Sequence, residues 1–123
     1  MSRVIAIVNQ KGGVGKTTTA INLGAALAVA ERKTLVVDMD PQCNATSGLG
    51  LRPQKESSTI YDVLVRSQDA RKAVIEALQF ELLDLIPSNR DLVGAEIEMV
   101  DVPGRETVLR RALDPIREHY DYI

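Results

Sequence analysis

Two lysines, a pair of threonines and three glycines lie close together near the start of the chain, in the run Asn-Gln-Lys-Gly-Gly-Val-Gly-Lys-Thr-Thr at residues 9–18. Glycines allow backbone conformations that a Cβ would forbid, so successive N–H groups can point at one anion. Lys16 offers a mobile positive charge for the β- and γ-phosphates of a nucleotide, and the Thr17 hydroxyl is a suitable Mg²⁺ ligand. The spacing therefore predicts a phosphate-binding loop.

The common form of this loop, G-x-x-x-x-G-K-[ST], fails at its first position, because Gln10 stands five residues before Gly15. A second lysine, Lys11, precedes the glycines instead. The pattern K-G-G-x-G-K-[ST]-[ST] is a deviant Walker A motif, and through it the chain resembles the ParA/MinD family of dimerising ATPases. A glycine turn flanked by solvated lysines is the alternative interpretation.

This resemblance implies a role for each lysine, with Lys16 serving the nucleotide of its own subunit and Lys11 reaching the nucleotide of the partner. It also implies catalytic importance for both. The residues expected to bind the nucleotide are Lys11, Gly12, Gly13, Val14, Gly15, Lys16, Thr17 and Thr18. ATP and Mg²⁺ are the expected ligands, with Thr17 on the metal.

Two carboxylates follow the apolar run at residues 34–37. Such a run suits a buried parallel strand, and ligands bind at the C-terminal edge of parallel sheets. Asp38 and Asp40 would share one face of an ideal strand, so both could approach a metal and an attacking water. A simple turn at the end of the strand, marked by Pro41, is the alternative.

The same stretch resembles the Asp-x-Asp-Pro-Gln-Gly-Asn-Ala-Thr-Ser-Gly-Leu-Gly run of the ParA/Soj partition ATPases over residues 38–50. Cys43 departs from it, since the family usually has glycine there. The resemblance implies that Asp40 orients the hydrolytic water and that Asp38 lies nearer the Mg²⁺ shell. The run at residues 85–98 is also typical of this branch, and it predicts a helix opened by Ser88, with Asp91 completing a capping box.

Apolar runs and helical patterns alternate along the chain, which predicts an α/β fold, a parallel sheet with helices on both faces. Together with the phosphate loop and the family resemblance, this implies a P-loop NTPase-like fold. The helix after the phosphate loop is apolar almost all round, so we expect it to be deeply buried. Gly24 within it indicates close packing. The predicted strands are 3–9, 33–38 and 82–87, the predicted helices are 16–31, 59–67, 89–100 and 105–120, and a switch-like loop covers 38–58.

Composition agrees with a small domain in a reducing compartment. Of the 123 residues, 45% are hydrophobic, and the lone Cys43 excludes an internal disulfide. No apolar run reaches the roughly 18 residues that span a bilayer. With a net charge of -2, the chain lacks the basic character of a dedicated nucleic-acid binder. We therefore expect a cytoplasmic protein with no membrane partner.

The last residues, 119–123, look like the start of another central strand. The resemblance implies that a Walker B aspartate and a second half of the fold would follow. We therefore expect residues 1–123 to be the N-terminal portion of an ATPase domain, incomplete at its C-terminal side and inactive by itself. A complete small domain is the alternative.

The function implied by the resemblance is ATP binding and hydrolysis in chromosome or plasmid segregation. In that family an ATP-dependent homodimer acts with a ParB-like stimulating protein and nonspecific DNA, which implies association with the nucleoid. Two alternatives remain open. One is a MinD-like ATPase of division-site placement, and the other is a nucleotide-dependent interaction module that does not hydrolyse ATP.

Overall fold

The computed structural model describes residues 2–11, 15–52 and 56–123. Its helices and strands alternate along the chain as the sequence predicts. The α-helices are α1 (Lys16–Val29), α2 (Asn44–Gly48), α3 (Ile60–Val65), α4 (Ala95–Glu98) and α5 (Val108–Leu113), and the strands are β1 (Thr34–Val37) and β2 (Leu83–Ile86). Short 3₁₀ helices cover Ala70–Lys72, Arg90–Gly94, Arg105–Thr107 and Asp114–His119.

The two strands pair in parallel, in a register that runs from Thr34 opposite Leu83 to Val37 opposite Ile86. The C-terminal segment extends this sheet, because Tyr122 forms parallel bridges to both Thr34 and Arg3. The sheet order is therefore β2, β1, the C-terminal segment and the N-terminal segment.

The predicted strand at residues 3–9 is much shorter in the structure. Its pairing with the C-terminal segment includes bonds from Arg3 N–H to the Asp121 carbonyl at 2.9 Å and from Ile5 N–H to the Ile123 carbonyl at 2.8 Å. Several apolar side chains of the N-terminal segment are open to solvent. Val8 is 82% exposed.

Apolar side chains form a core on each face of the sheet. Leu35 and Ile86 point into one cluster, which α3 and α5 cover with Ile60 and Leu113. Leu83 and Leu85 point into the other, together with Ala28 of α1. Because successive strand residues point to opposite faces, β2 contributes to both clusters. Helices on both faces of a parallel sheet confirm the predicted α/β class.

Helix α1 is less buried than predicted. Only Gly24 and Ala28 are buried among its residues, and Val29 is 69% exposed. The expected close packing of Gly24 is confirmed, since a Cβ built there would lie 2.9 Å from Val36 Cγ2. The helix therefore contacts the sheet along one narrow stripe.

Several local predictions differ from the structure. The predicted loop at 38–58 contains α2, and the predicted helix at 89–100 is a 3₁₀ helix followed by one turn of α-helix. Its cap is Asn89, whose Oδ1 accepts a bond from Asp91 N–H at 3.0 Å, so the prediction of Ser88 as the cap is wrong. Asn89 is favoured because its side chain bonds the backbone two residues ahead.

Within the described parts of the chain, none of the helices has the length and apolar character needed to cross a bilayer.

Candidate functional site

A cleft of about 500 Å³ is lined by the N-terminal extended segment, α1, β1 and the C-terminal segment. Four of the predicted site residues line it together: Lys16, Thr17, Asp38 and Asp40. Most of the remaining lining is aliphatic and comes from the N-terminal segment, α1 and β1. The fold therefore brings the loop residues and the carboxylates to one cavity.

The start of α1 has the geometry of an anion-binding helix end. Gly15 is the N-cap residue with φ 87°, in the left-handed region that glycine adopts without steric cost. No side chain in the described ranges caps the helix, and no acidic residue lies in its first turn. The first N–H groups and the positive end of the 14-residue helix are thus available to a phosphate.

The two ends of the predicted phosphate loop differ in their surroundings. Lys16 and Thr17 are half-buried, whereas Thr18 and Lys11 are exposed. The Lys11 N–H donates to Asn9 Oδ1 at 2.8 Å, and its side chain lies outside the lining of the cleft. Gly12, Gly13 and Val14, which are predicted to bind the nucleotide, lie outside the described residues.

Asp38 is 3% exposed and heavily hydrogen-bonded. Its Oδ2 accepts bonds from Thr46 N–H at 2.8 Å and from the Thr46 hydroxyl at 2.5 Å. Its Oδ1 accepts a bond from Asp40 N–H at 3.0 Å. These donors use three of the roughly four lone-pair positions of a carboxylate. Direct contact of Asp38 with a metal would therefore be limited to Oδ1.

Asp40 is more accessible than Asp38. Its Oδ1 accepts a bond from Gln42 N–H at 2.9 Å, and its Oδ2 lies 3.4 Å from Asn44 Nδ2, a weaker contact. The side chain is half-buried on the wall of the cleft. Of the two carboxylates, Asp40 has more freedom to contact a ligand or a water molecule.

In the ranges that the structure describes, no group of three or more His, Cys, Asp or Glu side chains is placed to hold a metal. Mg²⁺ bound together with a nucleotide usually keeps few protein ligands and is completed by phosphate oxygens and water. A hydroxyl at Thr17 and one oxygen of Asp38 match that donor set.

Cys43 lies beside the carboxylates but is not activated. Burial raises the pKa of its thiol, and the nearby charges of Asp38 and Asp40 raise it further, while a hydrogen bond with Ser88 acts in the opposite direction. The thiol is thus protonated near neutral pH, and Cys43 has the surroundings of an inert small residue rather than of a reactive nucleophile.

Thr46 is the site residue that sequence reasoning missed. It lies in α2, is fully buried, and holds Asp38 through both its N–H and its hydroxyl. The run at residues 38–50 contains it, but nothing in that pattern distinguishes a buried hydroxyl from a solvated one.

A glycine-capped helix, a neighbouring lysine and threonine, and acids at the end of the next strand define an α/β protein of the P-loop type. A family model described as an AAA domain, AAA_31, matches residues 2–123, and the chain belongs to this family.

Within this family the chain is similar to partition proteins. It is 51% identical over 123 residues to the sporulation initiation inhibitor protein Soj of Bacillus subtilis, and 50% identical over 123 residues to the chromosome partitioning protein ParA of Myxococcus xanthus. All of the chain is covered, but it spans 48% and 43% of these relatives. The chain thus spans about half the length of the relatives it matches. The ParA/Soj-type resemblance is confirmed.

Solved structures agree on the fold. The cobyrinic acid a,c-diamide synthase of Mycobacterium smegmatis, with bound ATP analog and magnesium, superposes with a TM-score of 0.91 at 40% identity. The match covers 99% of this chain and 49% of that one. The predicted P-loop NTPase-like fold is therefore confirmed.

Proposed function

We propose that this chain is the phosphate-binding portion of a partition ATPase that binds and hydrolyses ATP in chromosome or plasmid segregation. One observation carries the proposal: Lys16 and Thr17, at the start of α1, share a cleft with Asp38 and Asp40. The similarity to Soj and ParA supports the biological role.

Each residue has a distinct task in this proposal. The first N–H groups of α1 and the Lys16 ammonium hold the β- and γ-phosphates. Thr17 and Asp38 would hold Mg²⁺, which when bound offsets charge on the phosphate oxygens. Asp40, the more accessible carboxylate, orients the attacking water. Catalysis in such a site is mainly positioning and charge stabilisation.

The exposed position of Lys11 suits a role toward a second subunit. In the proposed cycle ATP closes a homodimer in which Lys11 contacts the partner's nucleotide, and hydrolysis reopens it. A ParB-like protein stimulates hydrolysis, and nonspecific DNA binds the dimer, which places the protein in the cytoplasm at the nucleoid.

Isothermal titration of the chain with ATP in Mg²⁺ buffer tests the binding step. Lys16→Ala removes a charge-assisted contact worth about 1.5–3 kcal/mol, so the affinity should fall by roughly ten-fold or more. Lys72→Ala is the matched control, because Lys72 is an exposed lysine on the 3₁₀ helix Ala70–Lys72. Equal affinities for the two variants would overturn the phosphate-loop assignment.

Phosphate release by the same samples separates two versions of the function. If the chain binds ATP tightly but releases phosphate no faster than Lys16→Ala does, residues 1–123 by themselves form a nucleotide-dependent interaction module that does not hydrolyse ATP. Turnover that Lys16→Ala abolishes would show instead that residues 1–123 form a complete active site.

A further inference from the structure

A buried hydrogen-bond chain links the two carboxylates of the cleft to the turn after β2. The Ser88 N–H donates to the Thr46 hydroxyl oxygen at 3.0 Å, and this hydroxyl lies 2.5 Å from Asp38 Oδ2. Thr46 and Ser88 are both fully buried. The contacts therefore join three separate parts of the chain away from solvent.

The direction of these bonds is determined by their chemistry. A backbone N–H can only donate, so the Thr46 oxygen accepts from Ser88 and its single proton must point to Asp38. Asp38 then accepts from Asp40 N–H on its other oxygen. Each group in the chain has one possible role, so the arrangement holds Asp38 in a single orientation.

We propose that Thr46 is a positioning residue that orients Asp38, and through it the backbone of Asp40, toward a magnesium nucleotide in the cleft. This role rests on the function proposed above. Since Oδ2 of Asp38 is occupied by Thr46, Oδ1 is the oxygen left for the metal or its water. Loss of the hydroxyl would free the carboxylate to rotate and would leave the buried Ser88 N–H without its acceptor.

Three variants separate this role from simple packing. Thr46→Val keeps the shape of the side chain and removes the hydroxyl, while Thr46→Ser keeps the hydroxyl. Thr59→Val is the matched control, because Thr59 is also buried but its hydroxyl faces Asp62 at the start of α3. A general loss of stability would affect the Thr46→Val and Thr59→Val proteins alike.

Amide hydrogen exchange measured by NMR tests the junction without any ligand. In Thr46→Val the amides of Ser88 and Asp40 should lose protection, whereas Thr46→Ser and Thr59→Val should retain it. If the Asp40 amide stays as protected in Thr46→Val as in the wild-type chain, Thr46 does not orient Asp38. In that case the proposal is wrong.

The effect of Thr46 on the nucleotide site is measured as the gain in ADP affinity when Mg²⁺ is added. That gain should fall by roughly ten-fold in Thr46→Val, as for other outer-shell partners of metal sites, and return in Thr46→Ser. Affinity in EDTA should stay the same in all variants. An unchanged Mg²⁺ gain in Thr46→Val would overturn the positioning role.

A measurement on the wild-type chain covers the case in which Thr46→Val does not fold. Addition of Mg²⁺-ADP should shift the amide resonances of Thr46 and Ser88 as well as those of the α1 N-terminus. Shifts confined to the α1 N-terminus would overturn the proposal. A wild-type chain that binds no nucleotide would instead refute the proposed function, and the exchange experiment would still decide whether Thr46 holds Asp38.

Discussion

At the scale of single residues, position 43 carries a side chain where the backbone geometry favours glycine. Cys43 has φ 58° and ψ 32°, in the left-handed region. A Cβ in this region is strained by about 1–2 kcal/mol, and glycine is not. The family resemblance, in which glycine usually stands at this position, now has a physical reason: the turn before α2 requires a left-handed residue.

Cys43→Gly should therefore stabilise the chain, even though glycine costs more backbone entropy on folding. We expect a gain of about 0.5–1 kcal/mol in the free energy of unfolding, measured by urea denaturation. Cys43→Ala is the control, because alanine keeps the Cβ and removes only the thiol. An equal gain in both variants would assign the effect to the thiol rather than to the backbone.

Residues whose chemistry depends on local spacing could be predicted from the sequence. Lys16 and Thr17 at the start of a helix, and Asp38 just after a strand, follow from patterns within one stretch of chain. Thr46 could not be predicted, because its partners Asp38 and Ser88 come from separate segments. Only the folded chain shows that they meet.

At the scale of elements, α1 is positioned by the absence of a side chain at Gly24. A Cβ built at Gly24 would lie 2.9 Å from Val36 Cγ2 of β1 and 3.3 Å from Leu83 Cδ1 of β2. Such an approach is tighter than ordinary van der Waals contact and has no room for a methyl group. The angle of α1, and with it the direction of Lys16, depends on this contact.

Gly24→Ala should destabilise the chain by about 1–3 kcal/mol through overpacking, although alanine favours a helix by about 1 kcal/mol. Ala26→Gly, at an exposed position of the same helix, measures the propensity effect by itself. Thermal unfolding followed by circular dichroism should give a lower midpoint for Gly24→Ala than for the wild-type chain. A higher midpoint would mean that α1 shifts freely on the sheet.

Element boundaries were predicted well where a strong local signal exists. Helix α1 and strands β1 and β2 lie within two residues of their predicted ends. The predicted strand at 3–9 and the depth of burial of α1 were wrong, because both depend on what packs beside them. Val4 and Val8 have strand-like chemistry, yet the C-terminal segment pairs with residues only as far as Ile5.

At the scale of the whole molecule, Asp84 joins distant parts of the chain. It is 1% exposed and accepts bonds from Lys33 Nζ at 2.8 Å, Ala77 N–H at 2.9 Å and the Tyr120 hydroxyl at 2.8 Å. A buried charge needs such partners, because removal of one leaves it unsatisfied. Asp84 therefore fastens the C-terminal segment to the sheet through Tyr120.

Burial raises the pKa of Tyr120, and its hydrogen bond to Asp84 and the charge of Asp84 raise it further. Because the folded pKa lies above the unfolded value of about 10, the resulting stability is present below pH 10 and declines as the pH rises above it. The melting temperature of the wild-type chain should fall more steeply above about pH 10 than that of Tyr120→Phe.

Tyr120→Phe is informative because it removes only the Tyr120 hydroxyl and leaves Tyr61 in place, so the titration of Tyr61 affects both proteins alike. At neutral pH the substitution should also cost roughly 1.5–3 kcal/mol, because the Tyr120 hydroxyl no longer donates a hydrogen bond to the Asp84 carboxylate. Parallel melting curves for the two proteins from pH 8 to about 11 would contradict the assigned role of Tyr120.

Substitutions at Lys11 and Asp40 should also have different effects on the assembly of the whole protein. Lys11 is exposed and lies outside the cleft, whereas Asp40 lines it. We consider a chimaera of residues 1–123 with the remaining length of Soj of Bacillus subtilis. Lys11→Ala should bind ATP yet remain monomeric, because the charge of Lys11 would serve the partner's nucleotide.

Asp40→Asn keeps the acceptor for Gln42 N–H and should form a dimer that persists, since hydrolysis depends on the carboxylate only in the transition state. Light scattering with Mg²⁺-ATP over time distinguishes the two outcomes. A Lys11→Ala protein that dimerises like the unmodified chimaera would show that Lys11 is only a solvated lysine. An Asp40→Asn dimer that dissociates at the normal rate would show that Asp40 takes no part in hydrolysis.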